Sequence, residues 1–269
     1  MTSAERCFAV GRLDRLSYQE TWVHRLDPRS KVIATILFLA TVISFPKYEI
    51  ASLVPFFLYP ALLMAVGGIP VRFIARKIIV VSPFAVFIGI FNPLLDREPF
   101  AVLPGLILSA GWISFVSLIL KFALTVSAAL LLVATTSFPG VCRALRRLGV
   151  PALFVSQLLF LYRYLFVLME EAMRIIRARD MRSFGRRGLG MGVFARIVGI
   201  LFLRTVDRAE RIYSAMLSRG FHGDMPYCRR SLLAAADWAF LAVVPAFLLV
   251  FRFAPITEGI GRLAQGLWQ

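Results

Sequence analysis

Histidine and cysteine are scarce in this chain, and each scarcity removes a class of chemistry. The two histidines, His24 and His222, stand far apart and cannot assemble a metal site of their own. The three cysteines, Cys7, Cys142 and Cys228, are equally scattered and include no Cys-x-x-Cys pair, so reduced thiols are expected. Acids are few as well: 15 against 31 lysines and arginines. No Gly-x-x-x-x-Gly-Lys-Ser/Thr loop is present to cradle the phosphates of ATP. Neither a His-Glu-x-x-His nor a Gly-x-Ser-x-Gly stretch supplies a hydrolytic centre. The apolar spans read as free of carboxylates, so the proton or sodium relay of a secondary transporter is not evident. Catalysis by this chain alone is not expected. The stretch from Cys7 to Lys31 is polar and basic, so no cleaved secretion signal is expected there.

Apolar residues, by contrast, make up 59% of the 269 positions, and the mean hydropathy is +0.77. Several stretches approach the ~20 apolar residues needed to cross a bilayer. The expectation is an all-α polytopic membrane protein. Asp27-Pro28 opens the first span, Lys31–Phe45, because Asp caps free amides and Pro suits a first turn. A second span covers 50–66 and closes at Gly67-Gly68-Ile69-Pro70; a third covers 78–91 and closes at Asn92-Pro93. A fourth covers 112–133, with Lys121 inside it facing a neighbour or snorkelling. A last one covers 232–253. The apolar piece 100–109 reads as re-entrant or interfacial.

The net charge of +16 is unevenly placed. Basic residues gather in the N-terminal lead, in a loop holding Arg72, Arg76 and Lys77, and in the block 138–231; the turns 46–49 and 92–99 are nearly neutral. By the positive-inside rule this predicts five crossings, N-terminus inside and C-terminus outside, rising to as many as eight if parts of 100–109, 151–169 and 193–206 are embedded. It also predicts attraction to anionic lipid, and nothing resembles a nucleic-acid recognition motif. Three regions follow: a membrane domain 1–137, a basic helical domain 138–231 and a C-terminal span with its tail, 232–269. The middle region holds 17 arginines against six acids. It reads as long helices that begin near or in the membrane and project into the cytoplasm.

Within it one pattern occurs twice, 37 positions apart. Residues 170–184 and 207–221 share Ala172/Ala209, Arg174/Arg211, Ile175/Ile212, Ala178/Ala215, Arg182/Arg219 and Phe184/Phe221. Each copy opens on an acid and closes as Arg, a small residue (Ser183 or Gly220), then Phe. On a helix, 170, 174, 178 and 182 share a face, as do 207, 211, 215 and 219. That face reads acid, Arg, Ala, Arg, with small residues where another helix could come close and a Phe anchor beside the terminal guanidinium. A charge stripe alone is an ordinary solvated face. Matched Arg-small-Phe endings at one fixed offset point instead to docking onto a paired partner.

The endings Met181-Arg182-Ser183 and Ser218-Arg219-Gly220 resemble the two Ala-Arg-Gly-type coupling motifs of the T components of energy-coupling-factor transporters. Leu13-Asp14-Arg15-Leu16-Ser17-Tyr18, Leu26-Asp27-Pro28-Arg29-Ser30-Lys31 and Phe91-Asn92-Pro93-Leu94-Leu95-Asp96-Arg97 resemble the CbiQ branch, the T component of cobalt importers. Met181 and Ser218 replace the family's leading Ala. Ala178-Arg179-Asp180 is a rival for the first motif, but only Arg182 aligns with Arg219 and keeps the following Phe. The resemblance implies a non-catalytic subunit of the bacterial inner membrane. It would dock two helices into two ABC ATPase subunits, CbiO-like, and relay their motion to a substrate-binding membrane subunit, CbiM-like with or without a CbiN-like component. The coupling residues it implies are Ala178, Arg179, Arg182, Ser183, Phe184, Ala215, Ser218, Arg219, Gly220 and Phe221. No cofactor is expected on this chain; ATP would sit on the partner ATPases. Co(II) is the transported ion most favoured, bound by a partner subunit, with Ni(II) or a vitamin as alternatives. A lipid-modifying membrane enzyme is the rival from another class, and the polar catalytic cluster it needs is missing.

Overall fold

A computed structural model describes residues 21–46, 50–95, 99–103, 106–182, 190–221 and 234–253. The described chain is helical apart from one short hairpin, and it divides into two compact units: Leu13–Ser137 with Ser231–Gln269, and Phe138–Arg230 together with Met1–Arg12.

The first unit begins with a helical turn α1 (Trp22–Arg25) and helix α2 (Pro28–Ile43). Asp27 caps α2 as the Asp-Pro pair predicts, its carboxylate accepting the Arg29 amide at 2.9 Å. At 16 residues α2 is about 24 Å long, short of a ~30 Å hydrocarbon core. The next apolar stretch starts as a 3-10 helix, Ala51–Phe57, and becomes α-helical only in α3 (Leu58–Gly67). Pro55, which has no amide hydrogen, sits in the 3-10 part.

Helix α4 (Val71–Gly89) revises one expectation. Arg72, Arg76 and Lys77 belong to it and not to a loop. After Pro70, at the capping position, no helix breaker occurs before Pro83, so the charges ride on the first turns of the helix. Helix α5 (Phe91–Leu95) carries Asn92-Pro93 as a short extra helical piece, and Asn92 donates to the Ser114 hydroxyl at 3.3 Å. The 100–109 stretch forms the antiparallel hairpin β1 (Pro99–Leu103) with β2 (Leu106–Ser109). Helix α6 (Ala110–Thr135) follows, and α10 (Ala235–Phe253) closes the unit.

The core of this unit is aromatic. Phe38, Phe56, Leu53, Leu124 and Val42 are fully enclosed, and Tyr59 and Leu248 are buried against them. Phe38 stacks on Tyr59 with centroids 4.4 Å apart, and Phe45 meets Phe56 edge-on at 5.1 Å. The sequence flags Lys121 as a cation needing a partner, and the described residues supply acceptors: its ammonium donates to the Phe45 carbonyl at 2.6 Å and the Pro46 carbonyl at 3.3 Å. Both follow Ser44, the C-cap of α2, where the chain has left the helix and its carbonyls need donors from elsewhere.

The spans are not free of carboxylates. Asp237, in the first turn of α10, is buried, and its carboxylate accepts the Asp27 amide at 2.7 Å and the Ala234 amide at 2.8 Å. A helix N-terminus with two amides satisfies a buried acid in place of water.

In the second unit, α7 (Phe138–Arg147) leads through Gly149 to α8 (Ala152–Arg182), and α9 (Met191–Leu217) follows. Among the described residues four helices are long and apolar enough to cross a membrane: Val71–Pro93, Gly111–Thr135, Ala152–Arg182 and Ala235–Phe253. The protein is a multi-pass membrane protein of the all-α class, with one short hairpin among its described residues.

Candidate functional site

The repeated pattern falls on the C-terminal parts of α8 and α9. Helix α8 has 31 residues and α9 has 27, so they measure about 46 Å and 40 Å. Pro151 fixes the start of α8, and α7 is held beside it by stacking of Phe138 on Tyr162, centroids 4.8 Å apart. Cys142 is buried in α7, and burial pushes its thiol above the ordinary range, keeping it protonated and inert.

The end of α9 is defined bond by bond. The Gly220 amide donates to the Leu217 carbonyl at 2.9 Å, and the Phe221 amide reaches back to the Met216 carbonyl at 3.0 Å. Gly220 adopts φ +76°, the left-handed conformation this double bond requires. The motif ends the helix abruptly and leaves Ser218 and Arg219 exposed on its last turn. Ala215, one turn earlier, is also exposed. Phe221 does more than stand beside the charge: it and Met216 line a groove of about 630 Å³ with Phe160 and Tyr164 of α8 and Ile212 of α9. Apolar residues at these two positions commonly accompany such a helix end.

Arg182 is the last described residue of α8 and is exposed; Ser183 and Phe184 lie outside the described residues. The two candidate arginines of the first motif differ in surroundings. Arg179 is half-buried, and its guanidinium lies 2.9 Å from the Asp180 carboxylate. Neither Arg182 nor Arg219 forms a salt bridge among the described residues. Ala178 is half-buried beside Arg179.

Glu171 is a residue that the sequence pattern does not single out. Its carboxylate pairs with Arg174 on its own helix at 3.6 Å and with Arg204 on α9. Arg204 is more than half exposed, so solvent keeps the pair below about 1 kcal/mol, and its role is to register α8 against α9. Its partner stands 33 positions away, beyond any local pattern.

Both helices carry bare apolar faces. Leu153, Phe154 and Leu161 on α8, with Phe202 and Leu203 on α9, are largely exposed, as suits surfaces that meet lipid or another subunit. Among the described residues no group of three or more His, Cys, Asp or Glu side chains is placed to hold a metal ion. The site therefore offers two guanidiniums on helix ends, a registering ion pair and apolar flanks. Such a surface can bind a partner.

The profile of the CbiQ family, described as cobalt transport protein, matches residues 19–228. The cobalt transport protein CbiQ of Salmonella typhimurium is 28% identical over 230 residues, covering 79% of this chain and 97% of its own. The energy-coupling factor transporter transmembrane protein EcfT of Bacillus selenitireducens is 29% identical over 264 residues, 88% of this chain and 92% of its own. A fused cobalt transport protein CbiMQ of Methanocorpusculum labreanum is 29% identical over 116 residues, 41% of this chain and 19% of its own. The matched span begins ahead of α1 and runs past the end of α9, so it takes in the membrane unit's first helices and both repeat-bearing helices alike: this chain belongs to the CbiQ family of cobalt transport proteins.

Proposed function

We propose that this chain is the transmembrane coupling subunit of an ATP-driven importer in the bacterial inner membrane, with its basic segments on the cytoplasmic side. The ends of α8 and α9 dock into one ABC ATPase subunit each. ATP-driven closing of the pair moves the two helices, and the motion passes to a substrate-binding membrane subunit. The observation that carries this reading is the presentation of Arg219 on an abruptly closed helix end, exposed and without a salt bridge among the described residues, with Arg182 exposed at the corresponding place on α8. A guanidinium so placed has five unspent donors for a partner's carboxylate or helix-end carbonyls.

The chain is non-catalytic in this scheme. ATP belongs to the ATPases, and the transported solute belongs to a CbiM-like partner. Cobalt is the solute supported by the names of the CbiQ relatives, and the fused CbiMQ relative supports a CbiM-like neighbour.

Charge reversal tests the docking directly. Arg182→Glu with Arg219→Glu turns two attractive contacts into repulsive ones while leaving the first unit untouched. The ATPase subunits should then fail to co-purify with a membrane subunit still present at normal levels. Retention of both ATPases at parental stoichiometry would refute the proposal.

A further inference from the structure

The groove between α8 and α9 lies wholly within the second unit. Its volume of about 630 Å³ falls within the ~300–1,000 Å³ typical of ligand sites. Leu153, Phe160 and Leu168 of α8 and Ile212 of α9 make its walls apolar. It is a trough and not a sealed cavity: Leu153 is 59% exposed, and Tyr213 and Leu217, which also line it, are more than half exposed. Helix α8, which forms one wall, is long and apolar enough to cross a membrane. Hydrocarbon chains are therefore the apolar solute at hand.

Among the described residues a single charged side chain lines the groove, Arg208 of α9. It is half-buried and forms no salt bridge among the described residues, whereas Arg204, one turn earlier, is taken by Glu171. Asp207 and Glu210, its neighbours along α9, are exposed and line no part of the groove. Tyr164 and Tyr213 accompany Arg208. Rings with a polar tip gather where hydrocarbon gives way to head groups. Ser156, in the α8 wall, is 2% exposed, and its hydroxyl has no hydrogen-bond partner among the described residues. That leaves the wall with a spare donor of the kind an ester oxygen satisfies.

We infer that this groove binds an acyl chain of an anionic phospholipid, with the lipid phosphate held by Arg208. A water-soluble anion would use the guanidinium and gain nothing from the apolar walls. A neutral hydrocarbon would fill the walls and leave a half-buried cation without a counter-charge. An amphiphile with a negative end satisfies both, and the open length of the trough lets its chain enter sideways from the bilayer. The assignment stands apart from ATPase docking, because neither Arg182 nor Arg219 lines the groove.

Native mass spectrometry of the full chain, supplied in detergent with phosphatidylglycerol or with phosphatidylcholine of identical acyl chains, reads bound lipid directly. The parent should hold one phosphatidylglycerol about five- to tenfold more tightly than phosphatidylcholine, the share expected of one guanidinium. Arg208→Gln should bring the two lipids level, and Arg208→Lys should keep most of the preference. Ala209→Phe, which fills the trough, should weaken both lipids. Arg196→Gln removes the same charge from an exposed position of α9 outside the groove and should leave the preference intact. Equal binding of the two lipids by the parent, a preference that survives Arg208→Gln, or an equal loss in Arg196→Gln would overturn the inference. Glycerol 3-phosphate binding as tightly as the lipid would also overturn it, since the tail would then contribute nothing. In the complex with its partner subunits the lipid should remain bound; its expulsion on assembly would assign the groove to a protein partner and defeat the proposal.

Discussion

Gly220 is the residue on which the shape of the α9 end, the second of the proposed docking ends, depends. An alanine there would meet no neighbouring atom within 4 Å, so any penalty comes from the backbone: φ is +76°, and a Cβ resists that conformation. Gly220→Ala should therefore destabilise the helix end by about 1 kcal/mol. Gly199, inside α9 with equally open surroundings and ordinary helical torsions, should respond in the opposite direction. Gly199→Ala removes a poor helix former and should gain up to about 1 kcal/mol. Thermal unfolding of the two variants checks the sign, and ATPase binding should fall only for Gly220→Ala. This end was readable in advance because its chemistry is local. Ser218-Arg219-Gly220-Phe221 contains the exposed cation, the left-handed residue and the apolar closer in consecutive positions. The matching end of the first copy, at Ser183 and Phe184, lies outside the described residues, so its equivalence to the second stands on sequence.

Elements depend on partners that a linear reading reaches only in part. Lys121 shows where the boundary falls. A lysine inside the apolar helix α6 must find an acceptor, and the sequence says so. That the acceptors are the Phe45 and Pro46 carbonyls, about 75 residues earlier, follows only from the packing of α2 against α6. Arg252 adds a second cation at the same helix end, its guanidinium 4.2 Å from the Phe45 ring centroid and 3.4 Å from the Ser44 carbonyl. Lys121→Met should leave the carbonyls short of a donor and destabilise the first unit by about 1–3 kcal/mol, whereas Lys121→Arg should recover most of it. Denaturation of detergent-solubilised protein reads the difference. Asp237 stands within the 232–253 span, and the reading of that span as free of carboxylates overlooks it; what the sequence withholds is how it is satisfied. Its main partner is an amide 210 positions away, and inside an apolar run a single acid gives no periodic signal. The cations of α4 misled in another way. Charge marks the membrane boundary well, but it does not mark the start of a helix, which Pro70 sets.

For the whole molecule, the division of labour is between a unit with an enclosed aromatic core and a unit whose long helices leave much apolar surface and two arginine-tipped ends in the open. Composition already separates them, because the first unit's spans are continuous apolar runs and the second mixes apolar residues with arginine every few positions. Family membership agrees with a role in transport, and the proposed coupling rests on the two helix ends. The most direct measurement is site-specific cross-linking in membranes, with a photoreactive amino acid placed at position 182 or position 219 of the chain co-expressed with its ATPases. Each position should give a covalent adduct of one membrane subunit with one ATPase subunit, and the same group at Leu161, on the apolar face of α8, should give none. Adducts absent from 182 and 219, or formed only with lipid, would contradict the coupling account.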